Sequence, residues 1–283
     1  MRIGPEGRTA YIFCKKAETP EEWAVQMDVQ SYLQKMGVGI TDNCAEGDFS
    51  VILGGDGSVL AAGRGCAPNP FLVVNTGHLG FLTSTDKENY QEAIKRFLEG
   101  RYTLTKRHTL RVLVWSVRTT EPLTELLPPP KEFFAVNEIV VAKNTLSKLV
   151  KVSVCVQDYD KLREDLVAEY RADGLIVSTP TGSTAYNLSA GGPIIHPDCE
   201  NIVITPICPQ GLTQRPLVLP SNLRVVIKPA DQDLFVSVDG QDGCPMSGNV
   251  EVVYNTHQIE TVNPTDSYYG ILRQKLGWGI KPV

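Results

Sequence analysis

Residues 50–60, SVILGGDGSVL, pass from an apolar run into three glycines that enclose one aspartate. DFSVIL (48–53) reads as a strand, and the glycines mark a tight turn at its carboxyl end. The turn is not a P-loop, which needs G-x-x-x-x-G-K-[ST], nor a dinucleotide fingerprint, which needs G-x-G-x-x-G. Two readings of Asp56 remain open on this stretch alone. Its carboxylate either bonds its own turn, as aspartates in turns do, or faces a ligand at the strand ends.

The neighbouring sequence bears on that choice. A second glycine-rich turn, NTGHLGF (75–81), follows a second apolar run, PFLVV (70–74). In an open parallel sheet both turns lie on the rim where ligands bind, and both let a ligand approach backbone amides. A carboxylate among such donors suits proton abstraction from a hydroxyl, or holding Mg²⁺ against phosphate oxygens, the requirements of phosphoryl transfer.

Strand and helix signals alternate around these turns. AYIFC (10–14) predicts a strand, and Thr19, Pro20 and Glu22 predict a capped helix that Gly37 ends. GVGI (37–40) suggests a short strand, a short helix is expected after Ser58, and Thr85 with Glu88 predicts a helix running to Gly100. The alternation predicts a parallel α/β domain over residues 1–100.

From residue 101 to 264 the pattern changes to strands: LRVLVWSVR, FFAVNEIVVAK, KLVKVSVCVQ, LRVVIKPA, DLFVSVDGQ and NVEVVYN. A mostly antiparallel β domain follows, with TTEPLTELLPPPKE (119–132) as a proline-rich loop, and residues 265–283 are expected to pack back on the first domain. Two stretches within it carry chemistry. Asn137 and Glu138 interrupt an apolar strand pattern, and serve one ligand together only if the strand bulges or ends there. In RADGLIVSTPTGSTAYNLSAGGPIIHP (171–197) a strand enters a turn with five hydroxyls, Ser178 to Thr184, and a helix start is expected. Such a turn forms a neutral anion or ribose site, or a hydroxyl-rich surface loop. His78 and His196 are assigned no catalytic role, since a lone histidine beside glycine or proline is more often a structural hydrogen-bonder.

Composition excludes several classes. A net charge of −5 and a pI near 5.5 give no basic field for nucleic acid. No run of about 18 apolar residues could span a membrane, and the N-terminus lacks the apolar core of a signal peptide. Seven cysteines without a C-x-x-C pair point to reduced thiols and a cytoplasmic protein.

Taken together the residues resemble the NAD kinase family. GGDGS, NTGHLGFLT, VNEIVV, ADGLIVSTPTGSTAYNLSAGGPIIHP, ITPICP, RPLVLP, VDGQ and KLGWG occur in the family's order over nearly the whole chain. The resemblance implies phosphorylation of NAD at the 2′-hydroxyl of its adenosine ribose, with Mg²⁺ or another divalent cation and ATP or another phosphate donor. It implies Asp56 as the catalytic aspartate, and Gly54, Gly55, Gly57 and Ser58 as the turn that meets the donor phosphates; Asp56 and Gly57 also border NAD. Phe81, Asn137, Thr181, Thr184, Ala185, Tyr186 and Ser189 match positions around the adenosine half of NAD. Glu138 and Asp173 match positions near the nicotinamide half. A homodimer or homotetramer is implied, with Arg171 and Asp173 acting across a subunit interface. Two positions depart from the pattern: Ala172 stands where glycine is usual, and Gln210 where histidine is common. A lipid or sugar kinase of the wider superfamily, and a non-catalytic dinucleotide-binding regulator, are the alternatives; the first would want an apolar or basic membrane face.

Overall fold

In the computed structural model, which describes residues 7–15, 20–66, 69–77, 80–115, 128–144, 149–158, 163–231, 233–263 and 268–277, the first apolar runs become parallel strands. The chain divides into two units, Met1–Arg107 with Gln258–Val283, and His108–His257.

The first unit begins β1 (Thr9–Cys14), α1 (Pro20–Lys35), β2 (Gly39–Thr41), β3 (Phe49–Leu53), α2 (Asp56–Gly63), β4 (Phe71–Asn75), β5 (Thr85–Asp86) and α3 (Tyr90–Leu98). All these strands run parallel, with β3 between β1 and β4, and β2 outside β1. Every residue of β3 and β4 is buried, as continuous apolar runs in a covered sheet should be. Val29 and Leu33 of α1 and Ile94 and Phe97 of α3 close one face against Phe49, Val51 and Leu72.

Helix α1 ends as its sequence predicts. Gly37 takes φ +81°, and the Val38 N–H reaches back to the Leu33 carbonyl at 3.0 Å, a Schellman closure. Thr19 lies outside the described residues. Two helix starts differ from expectation. Helix α2 begins at Asp56 itself, with Gly55 as its N-cap. Helix α3 begins at Tyr90 rather than Thr85: Thr85 pairs with Val74 in β5, and Asp86 Oδ1 accepts from both Asn89 N (2.8 Å) and Asn89 Nδ2 (2.7 Å). That side-chain closure makes a turn where the helix would otherwise have started.

The second unit is built from β6 (Thr103–Val114, which enters it from the first unit), β7 (Lys131–Ala135), β8 (Glu138–Lys143), β9 (Val150–Asp158), β10 (Glu164–Ala172), β11 (Gly174–Ser178), α4 (Tyr186–Ser189), β12 (Asn201–Ile207), β13 (Leu217–Pro220), β14 (Leu223–Pro229), β15 (Leu234–Val238), β16 (Asp242–Met246) and β17 (Val250–Asn263). The last of these strands returns to the first unit, where α5 (Tyr268–Leu276) follows. One sheet has the antiparallel order β13-β12-β11-β8-β15-β16. A second antiparallel group runs β10-β9-β14-β17, and β6 pairs with β7 and β17. Alternate residues of both groups, among them Val150, Val152, Val154, Ile139, Val141, Leu175 and Val177, share one core.

The fold is thus a Rossmann-like α/β unit with an antiparallel, β-rich unit. Several local expectations change. FFAVNEIVVAK is two strands, because the chain leaves β7 in one sheet and enters β8 in the other. Lys131 and Glu132 belong to β7, not to the proline-rich loop, whose residues 119–127 lie outside the described set. The sequence reading gives no strand at β10, β12 or β13; charges interrupt the pattern along β10, whereas β12 is itself a β-branched apolar run, NIVITPI.

Candidate active site

The two glycine turns meet in the first unit. Leu53 and Val74, the last residues of the paired segment of β3 and β4, lie side by side, so both turns leave the same rim. Asp56 then reaches the second turn: its Oδ2 accepts from Phe81 N–H and its Oδ1 from Leu82 N–H, both at 2.9 Å. Of the two sequence readings, neither describes this alone. The carboxylate binds backbone donors, but those of the other turn. Each oxygen accepts one of these bonds and keeps a further lone pair.

Two glycines make this approach possible. A Cβ on Gly80 would stand 2.0 Å from Asp56 Oδ1. Gly54 has φ +131°, and its Cβ would meet Ser58 Oγ at 2.2 Å. A Cβ on Gly55 would meet nothing within 4 Å, which leaves open space at the helix start, and Gly57 is exposed on the first turn of α2. Phe81 is half-buried, and Lys275 of α5 holds its Nζ 5.5 Å from the ring centroid.

The second unit joins the other two stretches. Val136 and Asn137 form the bend between β7 and β8, and Asp239, at the turn after β15, clamps it. Its carboxylate accepts from Val136 N (3.0 Å), Asn137 N (2.8 Å) and Glu138 N (3.2 Å). The Asn137 carbonyl accepts from Thr179 N at 2.9 Å, and a Cβ on Gly182 would fall 2.2 Å from that same oxygen. Asn137–Glu138 and the hydroxyl-rich turn are therefore one cluster.

Most of the five hydroxyls are engaged within it. Ser178 Oγ donates to Thr179 O (2.9 Å), Thr179 Oγ1 to Val136 O (2.7 Å), and Ser183 Oγ to Pro180 O (2.6 Å). Thr181 is buried and Thr184 half-buried, with Thr184 Oγ1 donating to the Thr181 carbonyl at 3.2 Å. The expected helix is brief, a 3₁₀ turn Gly182–Thr184 and then the single turn of α4. Buried Asn187 explains its stop. That side chain donates to Ser183 O and Pro193 O, both at 3.1 Å, and accepts from Thr205 Oγ1 at 2.7 Å, folding the chain back on itself. Tyr186 and Ser189 are exposed, and Ala185 is half-buried.

Glu138 is buried, and its Oε2 has no hydrogen-bond partner. Burial, and then the charge of Asp239, push its carboxyl up to about 8, only partly offset by a hydrogen bond from the Tyr186 N–H. Arg171 and Asp173 are exposed, on and just after β10. Arg171 lines a cavity of about 690 Å³ with Gln210, Lys143, Lys151 and Asp231. Arg171 thus stands with Gln210, whose N–H donates to its carbonyl at 2.8 Å. His196 Nδ1 accepts from Asp198 N at 3.3 Å, a local turn contact, and His78 lies outside the described residues. Sequence reasoning gave no role to Asp239, although VDGQ marks it as an aspartate–glycine turn after a strand. Among the described residues no three His, Cys, Asp or Glu side chains gather as a metal cage.

The ATP-NAD kinase N-terminal domain matches residues 14–102, and the ATP-NAD kinase C-terminal domain matches residues 136–263. An NAD kinase of Solibacter usitatus is 37% identical over 269 residues, 90% of this chain and 88% of that protein. The chain belongs to the NAD kinase family. Among solved structures, yeast NADH kinase complexed with NADH has a TM-score of 0.82 at 23% identity, covering 98% of this chain and 89% of the other. An NAD kinase from Archaeoglobus fulgidus in complex with ATP has a TM-score of 0.71 at 23% identity, covering 95% and 97%. At that identity the likeness to both is one of fold. The boundaries of the two NAD kinase domains fall either side of the proline-rich segment.

Proposed function

We propose that the chain is an NAD kinase that transfers a phosphoryl group from ATP, or another phosphate donor, to the 2′-hydroxyl of the adenosine ribose of NAD, giving NADP. The observation that carries the assignment of roles is the pair of bonds from Phe81 and Leu82 N–H to Asp56. They hold a carboxylate at the rim of the parallel sheet, with a lone pair on each oxygen to accept the ribose proton. Open space at Gly55 and the exposed Gly57 suit the approach of donor phosphates to backbone amides, with Gly54 and Ser58 shaping the turn.

Asn137, Thr181, Thr184, Ala185, Tyr186 and Ser189, with Phe81, are proposed to border the adenosine half of NAD. Glu138 and Asp173 are proposed for the nicotinamide half. Buried Glu138, in its neutral form, supplies an O–H donor from the otherwise unpartnered Oε2. The exposed position of Arg171 and Asp173 suits a role toward a second subunit of a homodimer or homotetramer.

Mg²⁺ fits the donor set. Asp56 offers one carboxylate, and this ion is ordinarily held by one or two carboxylates together with substrate phosphates, so no protein cage is needed. When bound with the donor it neutralises charge on the phosphate oxygens. A cytoplasmic location is proposed from the scattered, unpaired cysteines.

The test is to mix purified protein with NAD, ATP and Mg²⁺ and to follow NADP through an NADP-specific dehydrogenase. NADP should form with ATP and not without it. Binding of NAD with no NADP from ATP or polyphosphate would point to a dinucleotide-binding regulator. Failure to bind NAD at all would point to a lipid or sugar acceptor.

A further inference from the structure

The two glycine turns that meet at Asp56, LGGDGSV (53–59) and NTGHLGFLT (75–83), carry no lysine or arginine of their own, although Lys15 directly follows Cys14, which pairs with Leu53 at the same rim. Phosphoryl transfer depends on positive charge at the moving group. The fold brings a lysine from the far end of the chain. Lys275, in the last turn of α5, places its Nζ over the ring of Phe81 at 5.5 Å from the centroid, and Phe81 is the residue whose N–H binds Asp56 Oδ2.

The orientation follows from helix geometry. Leu272 is the buried residue that seats α5, and Lys275, three positions on, shares its side of the helix. Lys275 is exposed on a flexible four-carbon stem, and a contact with an aromatic face at an exposed site is weak. A phosphate oxygen offers a charge-assisted hydrogen bond in its place, which is stronger.

We propose that Lys275 is a donor-binding residue whose ammonium leaves the Phe81 face to pair with the phosphate chain of ATP beside Asp56. The proposal rests on the kinase reading for its ligand, and it replaces the lysine that a P-loop carries within its own turn by one from the C-terminal helix. A purely structural lysine, fastening α5 to Phe81 and complementing the helix dipole, would instead act through stability.

The experiment compares wild type, Lys275→Gln and Lys275→Arg by calorimetric titration with ATP, by steady-state kinetics with ATP and NAD varied in turn, and by thermal unfolding. Lys275→Gln should raise the ATP Kd and the KM for ATP about tenfold, with the KM for NAD within about twofold and Tm within about 2 °C; Lys275→Arg should recover most of the loss. An ATP Kd within twofold of wild type in Lys275→Gln overturns the proposal, as does a parallel loss of affinity for both substrates with a large fall in Tm. Wild type that made no NADP would remove the kinase reading, and the ATP titration would still decide on Lys275.

Discussion

A methyl group on Gly80 would stand 2.0 Å from Oδ1 of Asp56, so the presence of glycine at one position sets where the carboxylate of the other can lie. Gly80→Ala should therefore displace Asp56, or the loop that binds it, while leaving intact the residues of the second unit proposed to bind NAD. A fall in kcat of tenfold or more is expected, with a far smaller change in NAD affinity. Equal kcat in the two proteins would mean that Asp56 works from another position.

Asp56→Asn is not a silent isostere here. An amide presents an NH₂ where one of two backbone donors now finds an oxygen, so one N–H of Phe81 or Leu82 faces another donor. The variant should lose most turnover and also roughly 1–3 kcal/mol of stability, the cost of an unsatisfied donor. Urea unfolding beside kinetics checks both; unchanged kcat would remove the catalytic role.

Glu138 makes stability depend on pH in a direction opposite to most carboxylates. Its folded value near 8 lies above the ordinary 4.5, so between these values the folded protein binds one proton more than the unfolded chain. The stability of the neutral form is whole below about pH 4.5, falls by about 1.4 kcal/mol for each step of one in pH as it rises toward 8, and is level above that. Glu138→Gln removes this titration. The stability of the variant relative to wild type should rise from pH 5.5 to pH 8.5, and a difference that does not change with pH would place an ionised Glu138 in the folded state.

Gly182→Ala sets a Cβ against backbone, 2.2 Å from Asn137 O and 2.7 Å from Asn137 Cα, where no side chain can turn aside. A loss of at least roughly 1–3 kcal/mol is expected, the usual cost of overpacking, together with weaker NAD binding. Retained Tm and NAD affinity would contradict the close approach.

The thiols should separate by reactivity. Burial, the hydrogen bond with Cys44 and its charge push Cys66 up to about 12, while Cys199 and Cys208 are exposed. Iodoacetamide at pH 8 followed by peptide mass spectrometry should label Cys199 and Cys208 in the native protein and Cys66 only after unfolding. Native labelling of Cys66 at the rate of the exposed pair would show that its surroundings open.

Continuous apolar runs and glycine turns made β3, β4 and their shared rim legible, because a buried parallel strand leaves little choice of residue. The partner of Asp56 was not legible. Amides at 81 and 82 carry no side-chain signature, and only the fold shows that they point at residue 56. The same holds for the hydroxyls of 178–184, all alike in sequence, of which Ser178, Thr179 and Ser183 are buried and engaged. Thr85 misled for a local reason, since Asp86 closes a turn on Asn89 before the helix begins.

The clamp of Asp239 on the bend at 136–138 joins residues about a hundred positions apart. Until the hairpin of β15 and β16 has formed and docked beside β8, three successive amides of that bend lack the Asp239 carboxylate and bond to water instead. Contacts of such separation close late, because the loop entropy must be met first. The bend that carries Asn137 and Glu138 is thus expected to order late in folding, and a nascent chain cut before residue 239 would have every residue proposed to contact NAD yet lack the clamp that holds this bend.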